Sequence, residues 1–352
     1  MVAMSGGVDS SVAAYLMKER GFDCTGVTMK LFSNEDVGFD RDDTCCSLKD
    51  TDDARAVACQ LGISHYVFNF SDEFLSQVIR RFTEAYEKGL TPNPCVDCNR
   101  CVKFGRLLRR AVELEYDCLV TGHYARIEQD AGSGRFLLKK ALDGAKDQSY
   151  FLYALTQEQM ARTVFPLGNT TKKEAREIAL AQGFVNARKG ESQDVCFVMG
   201  DYADFIERYR GRPCERGDFV GTDGRVLGRH RGLIRYTIGQ RRGLGLSFPR
   251  PMYVCGKSAA DNTVTLGGEE SLYTRTLFAE EVNWIVPSVH AFRARAKTRY
   301  RQSEQWAAVE RTGESRMRVS FDEPQRAVAP GQAVVLYDGD VVVAGGTIAR
   351  VA

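Results

Sequence analysis

The apolar strand Val2-Ala3-Met4 runs straight into the turn Ser5-Gly6-Gly7 and from there into a helix carrying Val12, Leu16 and Met17. A strand that turns at once into a helix favours a layered α/β arrangement, because the helix must pack back onto the sheet it has just left. The chain then repeats the alternation. An apolar stretch ending Val27-Thr28-Met29 is followed by a helix opened by Asp50-Thr51 and a strand from His65 to Phe70. A helix from about Ser71-Asp72, another near Lys103 to Glu115, and the strand Cys118-Leu119-Val120-Thr121 come next. This pattern predicts a doubly wound parallel sheet whose ligands bind beyond the carboxyl ends of its strands. Met4-Ser5-Gly6 and Thr121-Gly122-His123 both stand at such ends.

Beyond about residue 200 the texture changes. Glycines and arginines become frequent, and Met252 to Cys255 and Thr263 to Leu266 read as short strands. From about residue 271 strand-like runs dominate: Phe292 to Gln302, Trp306 to Glu310, Met317 to Phe321, Ala333 to Tyr337 and Val341 to Ala344. Pro330-Gly331 and Asp338-Gly339 mark turns between them. With 352 residues, more than one core is expected. The reading is an α/β domain over 1–200, a small β-rich domain over 201–270, and a β-barrel or sandwich over 271–352.

The turn after the first strand has its own chemistry. In Ser5-Gly6-Gly7-Val8-Asp9-Ser10-Ser11 the paired glycines let the backbone approach an anion closely, and the helix start offers unsatisfied N–H groups and positive potential. Ser5, Ser10 and Ser11 can add hydroxyl donors. The Gly-Lys-Ser/Thr ending of kinase-type phosphate loops is absent.

Eleven cysteines form the second signal. The chain opens without the basic and apolar regions of a signal peptide and contains no apolar run long enough for a bilayer, so a cytoplasmic protein without a membrane partner is expected. Clustered cysteines in a reducing compartment favour metal binding or catalysis over disulfide staples. Cys95, Cys98 and Cys101 follow Thr91-Pro92-Asn93-Pro94, whose prolines and asparagines predict a rigid loop presenting the thiols outward. A solitary Cys196 follows in Ser192-Gln193-Asp194-Val195-Cys196-Phe197. A zinc knuckle from Cys95, Cys98, Cys101 and one further ligand competes with a catalytic reading, in which one thiol carries sulfur and another helps to release it. Cys24, Cys59 and Cys118 suit an apolar core, whereas Cys45-Cys46 sit in a polar segment without an evident role.

The string Ser-Gly-Gly-x-Asp-Ser after the first strand resembles the signature of the N-type ATP pyrophosphatases. The further runs Thr121-Gly122-His123-Tyr124, Lys146-Asp147-Gln148-Ser149-Tyr150-Phe151-Leu152, Tyr236-Thr237-Ile238-Gly239-Gln240 and Arg299-Tyr300-Arg301 extend the likeness over essentially the whole chain. In this order they resemble the bacterial tRNA-specific 2-thiouridylase family. That resemblance implies an adenine nucleotide alpha hydrolase-like first domain, a β-rich middle domain and a C-terminal barrel. It also implies an enzyme that uses ATP and Mg2+ to adenylate the C2 oxygen of the wobble uridine, U34, and then replaces that oxygen by sulfur.

By motif position, Ala3, Met4, Ser5, Gly6, Gly7, Val8, Asp9, Ser10, Met29 and Gly122 would bind ATP. Cys196 would carry the persulfide, with Cys98 as its partner nucleophile. Asn93, Pro94 and Cys95 would line the flipped base. His123, Lys146, Asp147, Gln148, Arg299, Tyr300 and Gln332 would meet the tRNA around its anticodon stem-loop, and a sulfur-carrier protein or cysteine desulfurase would supply sulfur. Many family members have aspartate where this chain has Cys95. The triad Cys95, Cys98 and Cys196 therefore resembles the subset that holds a [4Fe–4S] cluster by three thiolates, and the reading leans to such a cluster over persulfide chemistry alone.

Charge distribution adds a surface. Net charge is only +2, yet from Arg208 to Arg242 ten arginines face only Glu215, Asp218 and Asp223. Arg293, Arg295, Lys297, Arg299 and Arg301 recur at period two, which on one strand puts every cation on one face. Such a stripe can neutralise successive phosphates. Two other functions fit parts of this sequence. An AMP-forming ligase or amidating enzyme of the same superfamily needs neither Cys98 nor Cys196. A non-catalytic RNA-binding protein stapled by zinc leaves the glycine loop idle.

Overall fold

The structure is a computed structural model that describes residues 1–33, 48–190, 195–198, 200–287 and 289–352; Cys45 and Cys46 lie outside these residues. The chain divides into two compact units. One comprises residues 1–78, 95–199 and 339–342, and the other residues 79–94, 200–338 and 343–352.

The first unit holds a parallel sheet. Its strands are β1 (Val2–Ala3), β2 (Thr25–Lys30), β3 (Ser64–Asn69) and β4 (Leu119–Val120). After a hairpin of β5 (Arg126–Gln129) and β6 (Phe136–Lys139), β7 (Thr163–Val164) completes it in the order β3-β2-β1-β4-β7. Pairing is parallel throughout, with Val2 opposite both Gly26 and Val120. The order reverses at β1, so the crevice between the ends of β1 and β4 is the switch point at which open α/β sheets take their ligands. The doubly wound sheet is as expected.

Helix α1 (Val8–Glu19) covers β1 with Val12, Ala13, Ala14 and Met17, all buried. Small residues let it lie close to a second helix, Lys172–Ala181, which brings Ala175 and Ala179 to the same core. That helix opens with a reciprocal cap: the Thr171 hydroxyl accepts from the Glu174 N–H while the Glu174 carboxylate accepts from the Thr171 N–H.

The thiol segment differs from expectation. It is helical from Pro94 onward, through Pro94–Asp97, a wide-turned stretch Cys98–Leu107, and Leu108–Glu113. Proline at the first helical position is preorganised for a helix, so Pro94 starts one here. The wide turn closes at Gly105, where a Cβ would stand 2.9 Å from the Arg100 carbonyl oxygen. Cys98 consequently points inward and is 8% exposed, while Cys95 and Cys101 are half-buried.

The second unit contains two β-structures. Strands β8 (Gly217–Gly221), β9 (Val226–His230), β10 (Tyr253–Ser258) and β11 (Thr263–Gly267) form a sheet in the order β10-β11-β8-β9. Phe219, Tyr236, Val254, Val264 and Leu266 fill its core. The remaining strands are β12 (Tyr273–Trp284), β13 (Ala291–Lys297), β14 (Gln305–Gly313), β15 (Arg316–Arg326), β16 (Ala333–Asp338) and β17 (Val341–Val351). They run β12-β15-β14-β13-β16-β17, and β17 pairs back onto β12, which closes a six-stranded barrel. Leu277, Ala296, Val309, Val319, Val334 and Leu336 line its interior.

The basic stripe is shorter than expected. β13 ends at Lys297, because the Gln302 side-chain oxygen accepts from both the N–H and the hydroxyl of Thr298 and closes a turn. Arg293, Arg295 and Lys297 share the outer face, with Ala294 and Ala296 buried beneath. Arg299 and Arg301 lie past the strand, and the Arg299 guanidinium donates to the carbonyls of Ile238 and Ala327. The Arg208–Arg242 run is also less free than its sequence suggests. Arg210 pairs with Glu87, and Arg235 with Asp204 and Glu207 at 2.9 and 2.7 Å. Among the described residues no helix is long and apolar enough to cross a membrane.

Candidate functional site

The loop after β1 is built for close backbone approach. Gly6 has φ +73°, and a Cβ there would fall 2.2 Å from the Asp50 carbonyl oxygen, so no side chain fits. Across the switch point Gly122 plays the matching part: a Cβ would lie 2.7 Å from the carbonyl carbon of Asp9 and 2.8 Å from the Ser10 nitrogen. The end of β4 thus presses against the start of α1, whose first N–H groups have no intrahelical acceptor. Of the three expected hydroxyl donors, two are engaged internally. Ser10 and Ser11 both donate to the Gly7 carbonyl, at 3.0 and 3.1 Å, and only Ser5 is exposed. Ser10 also accepts from the Ser5 N–H at 3.1 Å, which sets the curl of the loop. Ala3 and Met29 lie on β1 and β2, and Met4 and Val8 are buried in the core that supports the loop.

Asp9 is held by two groups that the sequence did not single out for this purpose. Lys172 Nζ lies 2.6 and 2.8 Å from its two carboxylate oxygens, and the Tyr124 hydroxyl donates to Oδ1 at 2.8 Å. Behind the loop, Asn186 Nδ2 and Lys189 Nζ both donate to the Gly6 carbonyl, at 3.0 and 3.1 Å. Lys189 also binds Asp50 and Asp53. Burial works to lower the Lys189 pKa, but its hydrogen bonds and charge interactions with the two aspartates outweigh that and raise it. The ammonium therefore stays charged at the root of the segment that leads to Cys196. The capping sequence Thr171-Lys172-Lys173-Glu174 was the available signal for Lys172; nothing local marks Asn186 or Lys189.

The thiols occupy different settings. Burial pushes the Cys98 thiol up to about 11, against a smaller lowering by Lys103. Its neighbour Asn99 donates to the Phe151 carbonyl at 3.1 Å and keeps a buried Oδ1 without a hydrogen-bond partner among the described residues. Cys196 sits half-buried in a turn beside Phe197, whose ring meets Phe74 edge-on at 5.6 Å. Next to Phe74, Glu73 binds Arg106 of the thiol-bearing helix at 2.9 Å. Among the described residues no group of three or more His, Cys, Asp or Glu side chains could hold a metal ion. The expected cluster ligands Cys95, Cys98 and Cys196 are among these residues and are not gathered as such a group.

The residues expected at tRNA are distributed over both units. His123 accepts from or donates to Thr121 Oγ1 at 2.7 Å and packs beside Phe104 and Phe165. Burial, with Lys103 adding to it, holds its imidazole well below the ordinary range, so it is neutral at pH 7. Asp147 is buried and accepts from the Ala141 N–H and from the N–H and hydroxyl of Ser149. Gln148 brackets Tyr124 with two bonds, beside the half-buried Lys146. In the second unit Gln332 donates to the carbonyls of Thr91 and Pro92 at 3.1 and 3.3 Å, directly before Asn93 and Pro94. Thr91 itself donates to Pro330 at 2.8 Å. Tyr300 follows Arg299 in the turn after β13.

A glycine loop at the switch point of a parallel sheet, opening a helix, is the arrangement of a nucleotide-binding α/β domain. Comparison with known proteins agrees and narrows the class. Residues 1–200 match the family model described as the tRNA methyl transferase HUP domain. Residues 203–268 match the tRNA methyl transferase PRC-barrel domain, and residues 274–348 the aminomethyltransferase beta-barrel domain. A tRNA-specific 2-thiouridylase MnmA from Clostridioides difficile is 46% identical over 353 residues, covering 99% of this chain and 98% of the relative. Proteins of the same name from Geotalea uraniireducens and Moorella thermoacetica are each 50% identical over 355 residues. They cover 99% and 100% of this chain, and 94% and 99% of their own lengths. The chain belongs to the tRNA-specific 2-thiouridylase family.

Proposed function

We propose that this protein is an ATP-dependent tRNA-uridine 2-sulfurtransferase acting on U34. The observation that carries the reading is the Gly6–Gly122 cradle around the start of α1, in the same unit as Cys98 and Cys196. ATP enters as its magnesium complex, with the metal on the phosphate oxygens. The loop Ala3 to Ser10, with Met29 and Gly122, binds the nucleotide; the N–H groups of the helix start face its phosphates. The uridine C2 oxygen attacks the α-phosphorus, pyrophosphate leaves, and the base carries AMP on that oxygen.

The terminal sulfur of a Cys196 persulfide then attacks C2, and AMP departs with the oxygen. The Cys98 thiolate next attacks the Cys196 sulfur. The S–S bond to the base breaks, 2-thiouridine leaves, and a Cys98–Cys196 disulfide remains for an external dithiol to reduce. A persulfide-bearing carrier protein or cysteine desulfurase reloads Cys196. Persulfide chemistry is preferred to a cluster because it needs only Cys98 and Cys196, whereas a cluster would need Cys95 as a third ligand. Asn93, Pro94 and Cys95 line the extruded base. His123, Lys146, Arg299 and Tyr300 meet the tRNA, while Asp147, Gln148 and Gln332 hold the backbone segments that do so.

The test is tRNA-dependent release of AMP and pyrophosphate alongside 2-thiouridine. Asp9→Ala is expected to abolish all three products. Cys196→Ser and Cys98→Ser should lose 2-thiouridine yet still release pyrophosphate on the first turnover. Pyrophosphate release with no need for tRNA would point instead to a ligase of the same superfamily.

A further inference from the structure

The outer face of the barrel carries an aromatic side chain where strand alternation calls for a polar one. Trp306 on β14 lies directly opposite Arg295 of β13 in register and remains 48% exposed. The Arg295 guanidinium is 5.2 Å from the indole centroid and that of Arg293 is 5.8 Å from it. Ala308, two residues along the same face, is opposite Arg293 and contributes only a methyl group.

The acids on this face are engaged: Asp322 binds Arg293, and Glu310 binds Arg318 at 2.6 Å. Arg295 and Lys297 have no carboxylate partner among the described residues. The face therefore combines an open aromatic surface with cations whose charge is not locally balanced. These are the two components with which proteins hold unpaired nucleotides: a ring for the base and guanidinium groups for the phosphates. Structured RNAs offer unstacked bases in their loops, where sequence-tolerant stacking operates.

We propose that Trp306, flanked by Arg293 and Arg295, is a stacking platform for an unpaired base of the bound tRNA, with the Arg295 guanidinium neutralising an adjacent phosphate. The inference rests on the tRNA reading above and adds to it a contact on the outer face of the barrel. A negatively charged protein partner is the competing occupant. It is disfavoured because the proposed reaction already brings a polyanionic RNA to the protein.

The chain has two tryptophans, so Trp284→Phe leaves Trp306 as the single indole reporter. Adding tRNA to that variant should quench its emission saturably, with a midpoint equal to the Kd from filter binding. Trp306→Ala, made in the otherwise unchanged chain, should weaken tRNA binding by about tenfold, the order expected for losing one base–aromatic stack. Trp306→Phe should retain most of the affinity, and ATP binding should not change. Arg295→Gln should lower the salt slope of tRNA binding by about one.

Equal tRNA affinity of wild type and Trp306→Ala, with no quenching in the single-tryptophan protein, would overturn the platform and leave the tRNA reading intact. Unchanged tRNA affinity with slower sulfur loading from the donor protein would assign the face to a protein partner and likewise overturn it. Failure of the wild type to bind tRNA would remove the reading on which the platform rests.

Discussion

Removing the charge of Lys189 should loosen the back of the phosphate loop by an amount that the structure lets one work out. The ammonium is the shared partner of Asp50 and Asp53, whose side chains are only 14% and 19% exposed, and one of two donors to the Gly6 carbonyl. Breaking a fully buried ion pair by deleting one partner costs about 3–5 kcal/mol. Here 31% of the lysine side chain is exposed, so screening brings the expectation down to about 2–3 kcal/mol. Lys189→Met keeps most of the aliphatic stem, and Asn186 continues to donate to Gly6, so the loss is electrostatic and local. Hydrogen exchange read by mass spectrometry should show the amides of α1 and of the helix Leu48–Gln60 opening about 30- to 150-fold more often, the equivalent of those energies. Neutralising the two carboxylates in Lys189→Met/Asp50→Asn/Asp53→Asn should recover more than half of the protection. Protection within a factor of two of wild type in the single variant would refute the reasoning, because the carboxylates would then be satisfied without the lysine.

Three further outcomes are expected. Gly122→Ala should abolish ATP binding, because its methyl group would meet backbone atoms of Asp9 and Ser10 at 2.7–2.8 Å; isothermal titration with a nonhydrolysable ATP analogue checks it. Alkylation of Cys98 by iodoacetamide, mapped by mass spectrometry, should rise about tenfold per pH unit from 8 to 10, since a thiol pushed to about 11 holds roughly one thiolate in a thousand at pH 8. Burial pushes the Lys257 ammonium down to about 8, whereas an unfolded chain keeps that proton to about 10.5. The unfolded state thus holds more protons between those values, and stability should rise with pH there by up to about 3 kcal/mol. Thermal unfolding of Lys257→Met should lack that rise.

What the sequence disclosed of this fold and site follows the range over which each signal acts. Ser5 to Ser10 were legible because a glycine turn between strand and helix states its geometry within a few residues, and the parallel order followed from the alternation. The thiol run misled for a local reason. Pro92, Asn93 and Pro94 have the composition of a loop, but a proline at the first helical position begins a helix as well as it ends one, and Cys98 was carried inward. Arg299 shared the period of the stripe, yet Gln302 folds its side chain back on Thr298 and ends the strand first.

Lys172 was marked only by its capping sequence, and Asn186 and Lys189 were not legible at all; the three stand 163, 180 and 183 positions from the Asp9 and Gly6 atoms they bind. These three satisfy the Gly6 carbonyl and the Asp9 carboxylate, acceptors that would otherwise be open to the N–H groups at the start of α1. A loop whose internal acceptors are already occupied can direct those N–H groups outward, toward a phosphate, without rearrangement when the ligand arrives. Under the proposed function the distant donors belong to the working of the motif even though the motif can be written without them.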